Sequence, residues 1–147
     1  MKKLLMTAAV AAVALGLGST ASLAEAYKAC WIYVGPVGDV GWSFQHDEGR
    51  KAVVAELGDK VETVFVENVA EPDSDRTIER LARDGCKIIF TTSFGFMEPT
   101  LKVAAKFPDV KFEHATGYKT APNVTTYNSK FHEGRYVIGQ IAAKMSK

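Results

Sequence analysis

The sequence predicts an α/β protein, a doubly wound parallel sheet with helices on both faces. Short apolar runs alternate with longer segments of helical periodicity between residues 29 and 145. The run at 29–34 is continuously apolar, as a strand is when it is buried on both faces. Because each parallel strand requires a crossover, the alternation places helices on both sides of the sheet.

A strand at 29–34 opens the predicted fold, and the glycine-rich loop 35–43 leads from it into the first helix. Ser43 is a favoured N-cap residue with acidic residues in the turns that follow, so we expect it to cap this helix. Gly58 stands where the helical pattern stops, as glycine commonly does at helix C-termini.

The next two strands are predicted at 61–66 and 87–92. The helix between them follows the turn 68–73, has acidic residues near its start and ends at Gly85. Its apolar stripe, at helical spacing, consists of Ile78, Leu81 and Ala82.

A third helix follows the loop 93–97, with Pro99 in its first turn, where proline is tolerated. Its buried side is expected to consist of Leu101, Ala104, Ala105 and Phe107. Strands at 111–115 and 124–128 are joined by a segment too short for a helix, so this connection must be extended. A last amphipathic helix is predicted at 131–145, with Tyr136, Val137, Ile141 and Met145 at helical spacing.

Length and charge exclude several classes of protein. The chain has 147 residues and a formal net charge of +1, with basic and acidic residues interspersed. This length suits one domain with a real core, expected as a monomer. No basic stretch marks a nucleic-acid partner or an anionic membrane surface.

The N-terminus has the pattern of a secretory signal peptide. Lys2 and Lys3 precede an apolar stretch from 4 to 18 that ends in small residues. We therefore expect a signal at 1–24, with cleavage after Ala24 or Ala26, and a periplasmic mature chain at 25–147. A membrane anchor is the alternative, but the run is short and rich in alanine and glycine. Cys30 lacks the small apolar residues that usually precede a lipid-modified cysteine.

Export bears on the two cysteines, because an oxidising compartment permits a disulfide. Cys30 lies at the start of the first strand and Cys86 at the start of the third. If these strands are parallel neighbours, the two residues come within bridging range. Two buried thiols are the alternative.

A ligand site is expected at one edge of the sheet. In doubly wound sheets the ligand crevice lies at the carboxyl ends of the strands. The loops that should share this edge are 35–43, 68–73, 93–97, 116–118 and 128–130. The first loop offers glycines for close backbone approach, with Trp42 and Ser43 beside them.

Each candidate ligand residue at this edge also has a structural role to weigh against binding. Trp42 either stacks on a flat ring or covers the sheet edge. Asp39, next to Gly38, either contacts ligand or caps the turn. One of the rings of Phe94 and Phe96, which flank Gly95, should face ligand and the other the core. Glu98 either accepts hydrogen bonds from ligand or is a first-turn helix acid, and Tyr118 either packs or contacts ligand.

Catalysis and cofactors are not expected. Ser43, His46 and Asp47 are the residue types of a catalytic triad, but they lie within about one helical turn and lack an orienting group from elsewhere. The three histidines have no metal-ligand spacing. The glycine spacing after the first strand matches neither the dinucleotide motif nor a phosphate loop.

Four blocks of the chain form a recognisable set, in the order YVGPVGD through GWS at 33–43, TTSFGF at 91–96, FEHATGY at 112–118 and GRYVIG at 134–139. Together they resemble the basic membrane protein family, substrate-binding proteins of ABC transporters related to purine nucleoside receptors. The resemblance implies the N-terminal lobe of a type I periplasmic-binding-protein fold, an ABC permease as partner, and a purine base or nucleoside as ligand.

The resemblance also leaves alternatives open. Many nucleoside-binding members carry Asp-x-Ser-Phe-Asn at the first loop, where this chain has Gly41-Trp42-Ser43-Phe44-Gln45. A sugar or another small solute therefore stays open as the ligand. Family members are roughly twice this long, so we expect the second lobe to be absent, and a lone lobe that binds nothing tightly is a further alternative.

Overall fold

The computed structural model describes residues 25–38 and 40–146. The predicted signal segment and Asp39 lie outside these residues. The strands are β1 (Tyr27–Ile32), β2 (Val61–Val66), β3 (Ile88–Thr91), β4 (Lys111–Ala115) and β5 (Val124–Tyr127). The helices are α1 (Trp42–Leu57), α2 (Ser74–Arg83), α3 (Met97–Ala104) and α4 (Phe131–Met145), with short 3₁₀ turns at Gly58–Lys60, Glu71–Asp73 and Phe94–Phe96.

The strands form one parallel sheet in the order β2-β1-β3-β4-β5. This confirms the predicted α/β class and doubly wound topology. It also confirms that β4 and β5 are joined without a helix. The side-chain amide of Asn123 stabilises this connection, since its nitrogen lies 3.0–3.1 Å from the carbonyl oxygens of Ala104, Phe107 and Val110 at the end of α3.

Helices cover both faces of the sheet. Cys30 and Ile32 of β1 belong to a core cluster that includes apolar residues of α2 and α3. The alternate residues of the same strand, Trp31 among them, belong to a second cluster that also contains Tyr33. Tyr33 donates a hydrogen bond to Asp47 of α1 at 3.3 Å, so α1 lies on this opposite face.

The structure corrects two details of the predicted helices. Gly41, and not Ser43, is the N-cap of α1, because the helix begins at Trp42 and the Ser43 hydroxyl accepts a hydrogen bond from the Gly35 amide at 3.2 Å. Ala105 is exposed, since it follows the end of α3. The buried side of that helix consists of Met97, Thr100, Val103 and Ala104.

The last helix has the predicted bounds, and its apolar residues are exposed. They include Tyr136, Val137, Ile138, Ile141 and Met145. None of the helices in the described part of the chain combines the length and the hydrophobicity of a membrane-spanning segment.

Cys30 and Cys86 form a disulfide, with their Cα atoms 6.0 Å apart. Parallel pairing of β1 with β3 brings the two residues together, because Cys86 lies just before β3. The bridge is buried and ties β1 to the segment that leads into β3, away from the predicted ligand loops.

Candidate functional site

Two adjoining cavities open at the carboxyl edge of the sheet, as the topology predicts. Their volumes are about 510 Å³ and 590 Å³, and they share Trp42, Thr116, Asn128 and Phe131. The first is further lined by Gln45, His46 and Tyr127, and the second by Ser93, Phe94 and Arg135. The walls therefore come from the loops after β1, β3, β4 and β5 and from the first turns of α1 and α4.

Trp42 stands between the two cavities in a fixed orientation. It is the first residue of α1, and its indole N–H donates a hydrogen bond to the Thr92 carbonyl at 2.5 Å. Its ring meets His46 edge to face at 4.6 Å and lies 5.8 Å from Phe131. The side chain nevertheless remains 37% exposed. An indole that is held at its edges and still open to solvent is suited to stack on a flat ring.

His46 and Tyr127 form an uncharged wall of the first cavity. The imidazole Nδ1 lies 3.4 Å from the Tyr127 hydroxyl. Burial lowers the pKa of His46 and raises the pKa of Tyr127, so both side chains are neutral near pH 7. A neutral imidazole has one donor and one acceptor nitrogen, which suits a polar ligand without charge.

Buried charges fix the helix that carries Trp42 and His46. Asp47 is almost fully buried and accepts a hydrogen bond from Arg50 at 2.7 Å, while Arg50 also donates to Thr63 of β2 at 3.0 Å. Burial opposes ionisation of Asp47, but hydrogen bonds from Arg50 and Lys51 outweigh it and hold the pKa of the carboxyl below its usual value. The first turns of α1 are therefore fixed against β2.

Two predicted ligand residues are buried and do not line either cavity. Ser43 is 2% exposed and its hydroxyl accepts a hydrogen bond from the Gly35 amide, which gives this side chain a structural role. Phe96 is fully buried in the core, whereas Phe94 is 58% exposed and lines the second cavity. The two rings diverge because 94–96 is a 3₁₀ turn and not an extended segment.

The other predicted residues lie at the rim of the site. Tyr118 is exposed, with its ring 6.3 Å from that of Phe94, but it lines neither cavity. Glu98 is in the first turn of α3 and forms an ion pair with Lys119. Gly38 is exposed and has open space around it.

Gly95 lies against the Glu71 carboxylate, with no room for a side chain between them. A Cβ atom at Gly95 would lie only 2.0 Å from that carboxylate. This glycine thus serves close packing of two loops, and it does not line either cavity.

Sequence reasoning did not name most of the residues that line the cavities, among them Gln45, His46, Tyr127, Phe131 and Arg135. A usable signal existed for His46, which lies one helical turn after Trp42 and so shares its face. Tyr127 could also have been predicted from the sequence, because it ends the last strand at the edge where the cavities open. Arg135 had no such signal, since its position depends on the direction in which α4 leaves the sheet.

A buried histidine supports the loop after β4. His114 is fully buried, and its Nδ1 lies 3.0 Å from the Thr91 hydroxyl. Its Nε2 has no hydrogen-bond partner among the described residues. The ring lies beneath Gly117, where an added Cβ would come within 2.1 Å of the imidazole Cδ2. The His114 ring thus supports the backbone of the loop that contributes Thr116 to both cavities.

Comparisons with known proteins agree on one class. A profile of the family described as Bmp, ABC transporter substrate-binding protein PnrA-like, matches residues 26–147. A purine-binding protein of Brucella abortus (strain 2308) is 65% identical over 132 residues, which are 89% of this chain and 38% of that protein. A putative ABC transporter glucose-binding protein of Haloferax volcanii is 41% identical over 130 residues, which are 88% of this chain and 33% of that protein.

A solved structure shares the fold. An ABC transporter solute-binding protein from Conexibacter woesei superposes with a TM-score of 0.64 at 21% identity, over 70% of this chain and 35% of that chain. The chain thus spans 38% and 33% of the lengths of the two curated relatives.

Proposed function

We propose a function from the family to which this chain belongs, the Bmp family of PnrA-like ABC transporter substrate-binding proteins. In this proposal the chain binds a purine base or nucleoside at the carboxyl edge of its sheet. The family is one of transport proteins and not of enzymes. The ligand would stack on Trp42 and receive hydrogen bonds from neighbouring neutral side chains. The bound solute would then be delivered to an ABC permease.

The exposed, edge-held indole of Trp42 is the observation that carries this proposal. A purine presents a flat π-face, and stacking on an aromatic side chain contributes about 1–3 kcal/mol per base. Phe131 lies 5.8 Å from the indole and Phe94 lines the same second cavity, so the stacking surface is flanked by further rings.

Neutral polar groups around the indole provide directed hydrogen bonds. Gln45, His46 and Asn128 line the first cavity, and each offers both donor and acceptor atoms. This suits a purine, whose ring nitrogens accept and whose exocyclic groups donate or accept. The 65% identical relative is named a purine-binding protein, which supports the same ligand class.

We propose that the chain forms the N-terminal lobe of a two-lobed clamp and acts after export through the predicted signal segment. The site is open, as one wall of a clamp would be. In such a clamp the ligand favours closure because it contacts both lobes. The proposal predicts that this lobe alone binds purines more weakly than a complete clamp does.

Glucose or another sugar is the second candidate. The observation that favours it is the 41% identical relative named a putative glucose-binding protein. An exposed aromatic face also packs on the apolar face of a sugar ring, and Gln45 and Asn128 suit hydroxyl groups as well as purine nitrogens.

Isothermal titration of the purified chain with adenine, guanine, adenosine and glucose tests the assignment. Heat with a purine and none with glucose is the expected result, and the reverse would assign a sugar. Trp42→Ala should weaken purine binding by about 1–3 kcal/mol. Tyr27→Ala is the control, because Tyr27 is an exposed aromatic residue at the start of β1, on the opposite edge.

Unchanged purine affinity in Trp42→Ala would contradict stacking and would mean that Trp42 only covers the edge of the sheet. Binding of no solute would support the alternative of a lone lobe without tight affinity.

A further inference from the structure

Two carboxylates on the connection between β2 and α2 hold the neighbouring loops of the site. Glu67 accepts a hydrogen bond from the Val37 amide at 2.8 Å. Glu71 accepts a hydrogen bond from the Ser93 hydroxyl at 3.1 Å. Each glutamate therefore accepts a hydrogen bond from a loop that follows a strand. Glu67 accepts from the loop after β1, and Glu71 accepts from the loop after β3.

The Glu71 carboxylate also lies directly against the turn that leads into α3. At Gly95 an added Cβ would meet its carboxylate carbon and both oxygens within 2.0–2.3 Å. The first amides of a helix lack partners within the helix and attract negative charge. Glu71 thus already supplies the negative charge that the start of α3 attracts. Its carboxylate lies next to Ser93 and Phe94, which line the second cavity.

The other charged groups near the second cavity do not cancel these two carboxylates. Arg135 is the one cationic side chain among the described residues that line the two cavities. Glu98 is paired with Lys119, so this pair adds no net charge. Among the residues that the structure describes, neither Glu67 nor Glu71 forms an ion pair with a basic side chain, so no direct contact neutralises their charges.

We infer that Glu67 and Glu71 are specificity-determining residues that make the site select uncharged ligands. A phosphate or carboxylate in the second cavity would find the Ser93 hydroxyl already donating to Glu71 and would meet the negative charge of that glutamate, to which Glu67 on the same connection adds a second. An uncharged base, nucleoside or sugar does not need this donor for an anionic group and is not repelled by the carboxylates. This inference rests on the proposed function and deepens it, because it distinguishes nucleosides from nucleotides by named residues.

Glu71→Gln tests the charge while conserving the shape. Glutamine keeps an oxygen that can accept from Ser93, so the loop retains its support. The measurement is the ratio of dissociation constants for adenosine 5′-monophosphate and adenosine, in wild type and variant. We expect the ratio to fall about tenfold at low salt and by much less at about 0.5 M salt, since screening weakens interactions between exposed charges.

Glu62→Gln is the matched control. It removes the same charge, but Glu62 lies near the start of β2, beside Lys28, whereas Glu71 follows the other end of that strand. This control should leave the ratio unchanged. An unchanged ratio in Glu71→Gln, or an equal fall in Glu62→Gln, would overturn the inference.

A second measurement needs no purine and separates this inference from the proposed function. Inorganic phosphate is titrated into wild type and Glu71→Gln while the amide resonances of residues 93–96 are followed by NMR. Phosphate-dependent shifts in the variant alone support the inference, even if wild type binds no purine and the proposed function fails. Shifts in neither protein, or equal shifts in both, overturn it.

Discussion

Loss of the Cys30–Cys86 disulfide should lower the free energy of unfolding by about 4 kcal/mol. The bridge joins residues separated by 56 positions. For a loop of this length the chain-entropy model gives about 14 cal/mol/K of entropy removed from the unfolded state, which is about 4 kcal/mol at 25 °C. The expected loss is a large fraction of the stability of a domain of this size, which is about 5–15 kcal/mol.

Urea unfolding followed by circular dichroism measures this loss. Wild type is unfolded with and without reductant. The difference between the two measurements gives the contribution of the disulfide alone, because the sequence and both sulfur atoms are unchanged. At a slope of about 1.5 kcal/mol/M, the midpoint should fall by about 3 M urea. In the double variant C30A/C86A, reductant should have no effect. A loss below about 1 kcal/mol in reduced wild type, or two free thiols in the unfolded oxidised chain, would refute the reasoning.

Two further predictions concern the loop that contains Gly117 and the two histidines whose pKa values are lowered by burial. Gly117→Ala should destabilise the chain by about 1–3 kcal/mol, because its Cβ would overlap the buried His114 ring. Gly134→Ala, on the open face of α4, is the control and should not destabilise, so equal losses of thermal stability would contradict the explanation. Burial lowers the pKa values of His46 and His114, so the unfolded chain binds protons more readily and the free energy of unfolding should decrease as pH falls below about 6.5, the ordinary pKa of histidine. Unfolding measured at several pH values should show a shallower decrease in His46→Gln, and a slope that the variant leaves unchanged would exclude His46 as a contributor.

The sequence was a good guide to the backbone because the signals for strands and helices are local. The bounds of β2, β4 and α4 agree with the predicted ranges. The extended link before β5 also followed from its length alone. The N-cap of α1 was missed because the Ser43 hydroxyl is used by Gly35, eight positions earlier, and propensity carries no information about that partner.

The candidate site was predicted less completely than the fold. Trp42 and Phe94 line the cavities, as expected of ligand residues, but Ser43 and Phe96 are buried. Alternation along the chain could not separate Phe94 from Phe96, because the segment turns as a 3₁₀ helix. His46 was considered for catalysis and metal binding but not as a cavity wall, a role that depends on its packing against Trp42 and Tyr127.

The sequence by itself determined the class of the fold, the edge of the sheet at which the cavities open and the family resemblance. Periodicity, glycine positions and parallel-strand connectivity are properties of the chain order, so they can be recognised without coordinates. Only the tertiary structure decided which side chains at that edge face the cavities. Burial, hydrogen-bond partners and the positions of Glu67 and Glu71 depend on residues distant in sequence that meet only when the sheet is assembled.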